Sequence, residues 1–187
     1  MAGQMNDQER DAGVDTSRSR AGRALVVTVS DSVAAGVRQD ASGSGLAARL
    51  AELGFEVHRV VVPDERPAIG RVLASTEGYV LVITTGGTGL TPRDVTPQAT
   101  KDVLDYEIPG LAELMRASGA RSTPFSYLSR AVAGVRNRCL IVNVPGSPGG
   151  ALDSLAALEP VIAHALATLA GPFDHDSGAA SGAGRKT

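Results

Sequence analysis

The chain of 187 residues is 43% hydrophobic and 20% charged, which is ordinary for a single globular domain. Its formal net charge of −2 excludes a bulk electrostatic attraction to nucleic acid or membranes, and an aromatic content of 3% leaves little for stacking on bases. Its one cysteine, Cys139, excludes an intramolecular disulfide and a zinc site built on several thiolates, and its apolar neighbours predict a packing role.

Both ends of the chain are polar and lack a periodic apolar pattern. We expect disordered tails over residues 1–22 and 173–187, and one folded domain over residues 23–172. The N-terminal tail holds no apolar segment of signal-peptide length, and no stretch is expected to reach the roughly 18 apolar residues of a membrane span. The sequence therefore predicts a cytoplasmic protein that binds neither membranes nor nucleic acid.

The first half of the domain alternates short apolar runs with segments of helical periodicity. Strands are predicted at residues 24–29, 57–62 and 79–84, with helices at residues 46–53 and 64–76 between them. The order is βαβαβ, which is typical of a parallel sheet with helices on its faces.

The second half continues this α/β pattern and ends in a long helix. Helices are predicted at residues 96–105 and 109–117. Two strands that could form a hairpin follow at residues 131–135 and 139–144, and a last helix follows at residues 149–169. Leucines recur every three or four residues along the last helix, and Pro160 is expected to kink it.

Candidate binding chemistry follows the predicted strands, because ligands of open parallel sheets bind beyond the carboxyl ends of the strands. The most unusual segment is Thr84–Gly89, where three glycines in four positions allow a tight turn that presents backbone N–H groups. It is not a Walker A loop, since no Lys-Ser or Lys-Thr follows, and Pro92 replaces the third glycine of the dinucleotide fingerprint. A phosphate cradle and a simple tight turn both fit this pattern.

Two further strand ends carry candidate ligand groups. Ser147 precedes the last helix, where it could cap the helix or help its N-terminus bind an anion. Asp31 follows the first strand, where it could bind a ligand or close an Asx turn.

Two carboxylates stand beside these loops. Asp64 and Asp94 are hard oxygen ligands of the kind that Mg²⁺ takes together with substrate phosphates. The alternatives are a helix cap at Asp64 and a turn carboxylate at Asp94, with Thr96 capping a helix that has Pro97 at its first position.

Together and in this order, the segments resemble the MogA/MoaB family of molybdopterin adenylyltransferases. The most specific stretch covers residues 84–100 and has the sequence TTGGTGLTPRDVTPQAT. Shorter blocks of the same resemblance are Val29–Ser32, Gly36–Asp40, Pro63–Glu65, Leu128–Arg130, Ala133–Arg136 and Pro145–Pro148.

The resemblance implies a three-layer α/β/α fold with a mostly parallel sheet, a homotrimer, and the ligands ATP, Mg²⁺ and molybdopterin. It implies that Asp64 and Asp94 are catalytic and hold Mg²⁺ through substrate phosphates. The substrate-binding residues that it implies are Asp31, Thr85, Gly86, Gly87, Thr88, Gly89, Ser129, Pro145, Gly146 and Ser147.

The chain departs from the family's pattern on the pterin side. Gly149 and Gly150 stand where several members have a lysine, and Ser118 and Gly119 lie about where a plant relative has a ligand serine. Two alternatives to the enzyme therefore stay open: a MoaB-like paralogue that binds pterin without catalysis, and a generic nucleotide-binding regulatory protein.

Overall fold

The computed structural model describes residues 21–171, so most of both predicted tails lies outside the described residues. Within that range the strands form one six-stranded sheet in the order β2-β1-β3-β6-β5-β4. The strands are β1 (Arg23–Val29), β2 (Glu56–Val62), β3 (Leu81–Thr85), β4 (Tyr106–Glu107), β5 (Ala133–Arg136) and β6 (Cys139–Val144). Strands β2, β1, β3 and β6 run parallel, whereas β5 and β4 each pair antiparallel, so the predicted mostly parallel sheet and the hairpin are confirmed.

Helices cover both faces of this sheet. They are α1 (Asp31–Ala34), α2 (Ala41–Glu52), α3 (Arg66–Ala74), α4 (Thr96–Lys101), α5 (Pro109–Gly119) and α6 (Pro148–Ala170), with a 3₁₀ helix over Pro124–Leu128. The three-layer α/β/α fold is thus confirmed.

The pleat of the strands divides the core into two clusters. Val26 belongs to the cluster that packs against α2, α5 and α6, whereas its neighbour Val27 belongs to the cluster that packs against α3 and α4. Successive side chains of a strand point to opposite faces, so a continuous β-branched run fills both cores. Cys139 is fully buried in the second cluster, and burial raises the pKa of its thiol to about 12, in keeping with a packing role.

Several predicted boundaries were wrong. Helix α2 begins five residues earlier than the pattern indicated, because the Asp40 carboxylate caps it by accepting from the N–H of Gly43. Helix α4 ends at Lys101 rather than at residue 105, since the chain there turns into the short strand β4.

The expectation that no stretch is long and apolar enough to cross a membrane was wrong. Helix α6, with 23 residues, is long and apolar enough by length and composition. In this fold it has another role. Leu155, Leu158 and Ile162 are buried against the sheet and its neighbouring helices, so α6 supplies one wall of the domain core. The helix is continuous through Pro160.

Candidate functional site

The loops that follow β3 and β6 lie against each other at the carboxyl end of the sheet. The N–H of Gly86 donates to the Val144 carbonyl at 3.3 Å, and the Thr85 hydroxyl donates to the Pro145 carbonyl at 2.8 Å. A Cβ on Gly146 would lie 3.1 Å from the Gly86 Cα, so the two backbones touch. Sequence segments 60 residues apart therefore form one wall.

The conformation of the Gly86–Gly89 loop requires glycine at two positions. Gly86 has φ +104°, and a Cβ there would lie 2.3 Å from the Val29 carbonyl oxygen. Gly87 has φ +62°, and a Cβ there would lie 2.4 Å from the Thr96 hydroxyl oxygen. Side chains rarely adopt these φ values, and no side chain fits either space, so the turn depends on glycine.

Asp31 and Asp64 hold each other in a reciprocal pair. The N–H of Asp31 donates to Asp64 Oδ2 at 2.8 Å, and the N–H of Asp64 donates to Asp31 Oδ1 at 3.0 Å. Arg93 donates to the remaining oxygen of Asp31. The hydrogen bond from the Asp64 backbone, followed by that from Arg93, lowers the pKa of Asp31 below its usual value. Asp31 is therefore held as a carboxylate.

Asp64 is not a helix cap, because Glu65 occupies the N-cap position of α3. Its carboxylate faces the glycine loop instead: Asp64 Oδ1 lies 3.4 Å from the position of a Cβ on Gly87. The hydrogen bond from the Asp31 N–H helps to hold the carboxylate there.

Asp94 lies on the same loop and closes a turn, as the structural alternative from the sequence predicted. Its Oδ2 accepts from the Thr91 N–H at 2.8 Å and from the Thr91 hydroxyl at 2.6 Å, and it lies 3.0 Å from the position of a Cβ on Gly89. Burial raises the pKa of Asp94, but the hydrogen bonds from Thr91 and Gly89 and the charge of Arg130 outweigh that effect and lower it. The turn role leaves Asp94 ionised against the glycine loop.

Thr96 does not cap α4, because Val95 occupies that position. The fully buried Thr96 hydroxyl donates to the Gly86 carbonyl at 2.9 Å, and the Thr96 N–H donates to the Gly87 carbonyl at 3.1 Å. This residue therefore holds the glycine loop from behind.

A cavity of about 510 Å³ opens beside the loop. Five of the residues predicted to bind substrate line it, namely Thr88, Gly89, Ser129, Pro145 and Ser147. The Ser147 hydroxyl also caps α6 by accepting from the N–H of Gly150 at 3.3 Å, so capping is confirmed at this position. Gly119 lines the cavity as well, whereas Ser118 lies on a different surface.

Asp31, Asp64 and Asp94 do not line this cavity, whereas Asp153 does. Asp64 lies beside Gly87, and Asp94 lies beside Gly89, which also lines the cavity. The glycine loop is therefore a wall common to the carboxylates and the cavity.

Sequence reasoning missed four residues of this region. Arg130 donates to the carbonyls of Gly89 and Asp94 and so ties the end of the glycine loop to the turn that holds Asp94. Arg116 lines the cavity together with Phe125 and Leu128 of the 3₁₀ helix, which are 74% and 53% exposed. The available signal was the block Leu128–Arg130 of the family resemblance, which contains two of these residues.

The donor set around the loop suits a divalent cation that is held mainly by a substrate. No group of three or more His, Cys, Asp or Glu side chains that could hold a metal ion occurs within residues 21–171. Asp64 and Asp94 offer two hard carboxylates beside backbone N–H groups, which matches the few protein ligands that Mg²⁺ takes when phosphates supply the rest.

Comparison with known proteins decides the family. The family described as "Probable molybdopterin binding domain" matches residues 25–164, which is most of the described chain. The chain belongs to this family. A molybdopterin adenylyltransferase of Helicobacter pylori is 39% identical over 154 residues, covering 79% of this chain and 88% of the relative.

Solved structures of the molybdopterin-binding domain family share its fold. The molybdopterin biosynthesis Mog protein of Mycobacterium ulcerans has a TM-score of 0.75 at 43% identity, covering 79% of this chain and 98% of that protein. The molybdopterin biosynthesis enzyme MoaB of Thermus thermophilus has a TM-score of 0.71 at 51% identity, covering 79% of this chain and 96% of that protein. These relatives confirm the predicted MogA/MoaB family.

Proposed function

We propose that the chain is a molybdopterin adenylyltransferase of molybdenum cofactor biosynthesis, which uses Mg-ATP and releases pyrophosphate. One observation carries this proposal: one glycine loop has Asp64 and Asp94 beside two of its glycines and also lines a cavity of about 510 Å³. A reaction that joins a nucleotide to a second phosphorylated molecule needs two neighbouring half-sites that share one phosphate-binding wall. The adenylyltransferase relative of Helicobacter pylori supports the same assignment.

The two half-sites suit different substrates. The triphosphate of ATP belongs on the side of Asp31, Asp64 and Gly87, where backbone N–H groups and a substrate-held cation can offset its charge. The pterin belongs in the cavity, where Phe125 and Leu128 offer apolar surface to its ring. Its terminal phosphate then points to Gly89 and to the N-terminus of α6, whose partial positive charge favours an anion.

The proposed step is an in-line substitution at the α-phosphorus of ATP. An oxygen of the molybdopterin phosphate forms the new P–O bond as the bond from the α-phosphorus to the bridging oxygen breaks, so pyrophosphate leaves with the electron pair. The attacking oxygen is already anionic, and therefore no protein base has to take a proton. The chain contributes positioning and fixed donors, which cost no reorganisation in the transition state.

Mg²⁺ bound with ATP would neutralise charge on the departing pyrophosphate. Asp94 would hold it, with Asp64 in support, because both carboxylates lie against the glycine loop. The hydrogen bonds from Thr91 keep Asp94 ionised and fix its orientation.

The decisive experiment incubates the full chain with molybdopterin and Mg-ATP and measures adenylylated molybdopterin and pyrophosphate. We expect the two products in equal amounts, and none when either substrate is left out. A chain that binds molybdopterin but forms neither product would contradict the proposal.

That contradicting result would favour a second candidate, a MoaB-like pterin-binding or assembly paralogue. Gly149 and Gly150 support it, because they line the cavity where several family members have a lysine and so leave Arg116 as its one cationic lining residue among residues 21–171. Calorimetry with ATP alone and with a pterin phosphate separates both candidates from a nucleotide-binding regulatory protein, which should bind ATP without pterin.

We also propose a cytoplasmic homotrimer, as the resemblance to the family implies. Light scattering of the purified chain measures its mass directly, and a monomeric mass would contradict the trimer.

A further inference from the structure

Arg93 occupies an unusual position at the nucleotide side of the glycine loop. Its side chain is 62% exposed and donates to Asp31 Oδ2, the one carboxylate oxygen of Asp31 that the Asp64 backbone does not use. Asp94, the next residue, is held by Thr91 beside Gly89. The two neighbouring side chains therefore have different partners.

The surroundings of Arg93 are acidic. The charges of Asp31, Asp64 and Glu65 all act on its guanidinium, and Asp31 raises its pKa above the usual value. Among the ion pairs within residues 21–171, Arg93 is the only cation that pairs with this acidic group. A guanidinium on an exposed, single ion pair is weakly held, since such pairs contribute little to stability in water.

We propose that Arg93 clamps the β- and γ-phosphates of the bound nucleotide, exchanging its contact with Asp31 for contacts with the phosphate oxygens. This inference rests on the proposed adenylyl transfer, because it assigns Arg93 to the group that leaves as pyrophosphate. A guanidinium matches phosphate with two parallel N–H donors, and a polyphosphate presents more negative charge than one carboxylate. The exchange is therefore favourable once a triphosphate lies beside Asp64 and the glycine loop.

Different groups of the protein then hold different phosphates of ATP. Arg93 holds the β- and γ-phosphates, whereas the α-phosphate lies at the glycine loop next to the cavity. Removing the guanidinium should therefore weaken ligands that contain a pyrophosphate unit and leave ligands with a single phosphate unaffected. Disruption of Asp31 and Asp64 would instead weaken both classes.

The test is calorimetry on the full chain with pyrophosphate, ATP and AMP, each in the presence of Mg²⁺. For Arg93→Ala we expect the affinities for pyrophosphate and ATP to fall about 10-fold or more, since charge-assisted hydrogen bonds to phosphate are lost. The affinity for AMP should stay within about 2-fold of the original value. Arg93→Lys should restore part of the loss, because it returns the charge without the planar fork.

The matched control is Arg71→Ala, which removes an exposed arginine of α3 and should change none of the three affinities. Equal weakening of AMP and pyrophosphate in Arg93→Ala, no weakening of pyrophosphate, or a parent chain that does not bind pyrophosphate would each overturn the clamp. Failure of the proposed function gives a different result. In that case the parent chain binds pyrophosphate through Arg93 but forms no adenylylated product.

Discussion

The two ends of the parallel sheet both gather polar side chains, but they use them differently. At the amino end, His58 Nδ1 lies within hydrogen-bond distance of the Arg23 guanidinium, at 3.2 Å, and of the Tyr79 hydroxyl, at 2.8 Å, and Arg23 lies over the Tyr79 ring. These side chains contact one another. At the carboxyl end, Asp64 and Asp94 lie against the glycine loop instead.

The difference shows that a polar cluster alone does not mark a binding site. Gly86 and Gly87 are compressed against Val29 and Thr96, whereas Gly54 at the amino end also has positive φ but has no atom near its absent Cβ. Gly54 therefore only makes a turn easy, whereas Gly86 and Gly87 make a close approach of two segments possible.

The largest effect should come from a direct comparison of these glycines. Gly86→Ala places a Cβ 2.3 Å from a backbone oxygen at φ +104°, so we expect a loss of about 3 kcal/mol or more in the free energy of unfolding. Gly54→Ala, at φ +92° with nothing within 4 Å, should cost only about 1 kcal/mol. Chemical denaturation measures both, and equal losses would remove the distinction between the two ends.

Asp94→Ala should lower turnover about 100-fold or more while molybdopterin still binds, because the carboxylate lies outside the cavity. The matched control is Asp102→Ala, which removes an exposed carboxylate that pairs with Arg66 on the outer surface. Steady-state rates and molybdopterin titrations of the two variants test this. Near-original turnover in Asp94→Ala would exclude Asp94 from the mechanism.

Thr96→Val tests how the glycine loop is held. Valine keeps the buried volume but leaves the Gly86 carbonyl without its donor, so we expect about 10-fold slower turnover and a loss of about 1–2 kcal/mol in stability. Thr96→Ser keeps the hydroxyl and should recover most of both. If the serine variant is as slow as the valine variant, the hydrogen bond does not position the loop.

Asp40 is the centre of a polar cluster near the carboxyl end of the sheet that has a purely structural role. The pH dependence of stability tests this role. Burial raises the pKa of Asp40, but hydrogen bonds from Arg59, Thr28 and Gly43 outweigh it, so the folded pKa lies below the unfolded one. Its contribution to stability is therefore complete above about pH 4 and is lost as the pH falls through the folded pKa. We expect Asp40→Asn to flatten the fall in stability below about pH 4 in denaturation curves, and an unchanged slope would contradict this.

The smallest effect is expected at the amino end. Tyr79→Phe removes the hydroxyl that donates to His58 but keeps the ring under Arg23, so stability should fall by about 1 kcal/mol or less with turnover unchanged. Thermal denaturation and the adenylylation assay check this pair of outcomes. A clear loss of turnover would mean that the amino end also supports the site.

Much of the fold could be predicted because its signals are local. The β-branched run of β1 needs burial on both faces, and only a central strand of a covered sheet offers that. The glycines of residues 86–89 likewise mark a special turn by composition. The two-residue strand β4 carries no such signal, because it exists only through pairing with β5.

The wrong predictions that Thr96 and Asp64 cap helices have the same cause. Both residues lie at or near the start of a helix, but each side chain hydrogen-bonds to another segment instead, Gly86 and Asp31 respectively. The fully buried Asn143 was missed for this reason too. It accepts from the Val132 N–H and donates to the hydroxyls of Thr84 and Thr100, and so ties together strands and a helix that are remote in the chain.

By itself, the sequence determined the family, the order of strands and helices apart from the short elements α1 and β4, and the glycine turn at residues 86–89, because periodicity and backbone freedom act over a few residues. Tertiary structure alone decided that Asp64 and Asp94 lie beside the glycine loop but outside the cavity lining, and that Arg93 faces Asp31. Those relations join chain segments dozens of residues apart. Only the packing of helices on a twisted sheet sets the distances between such segments.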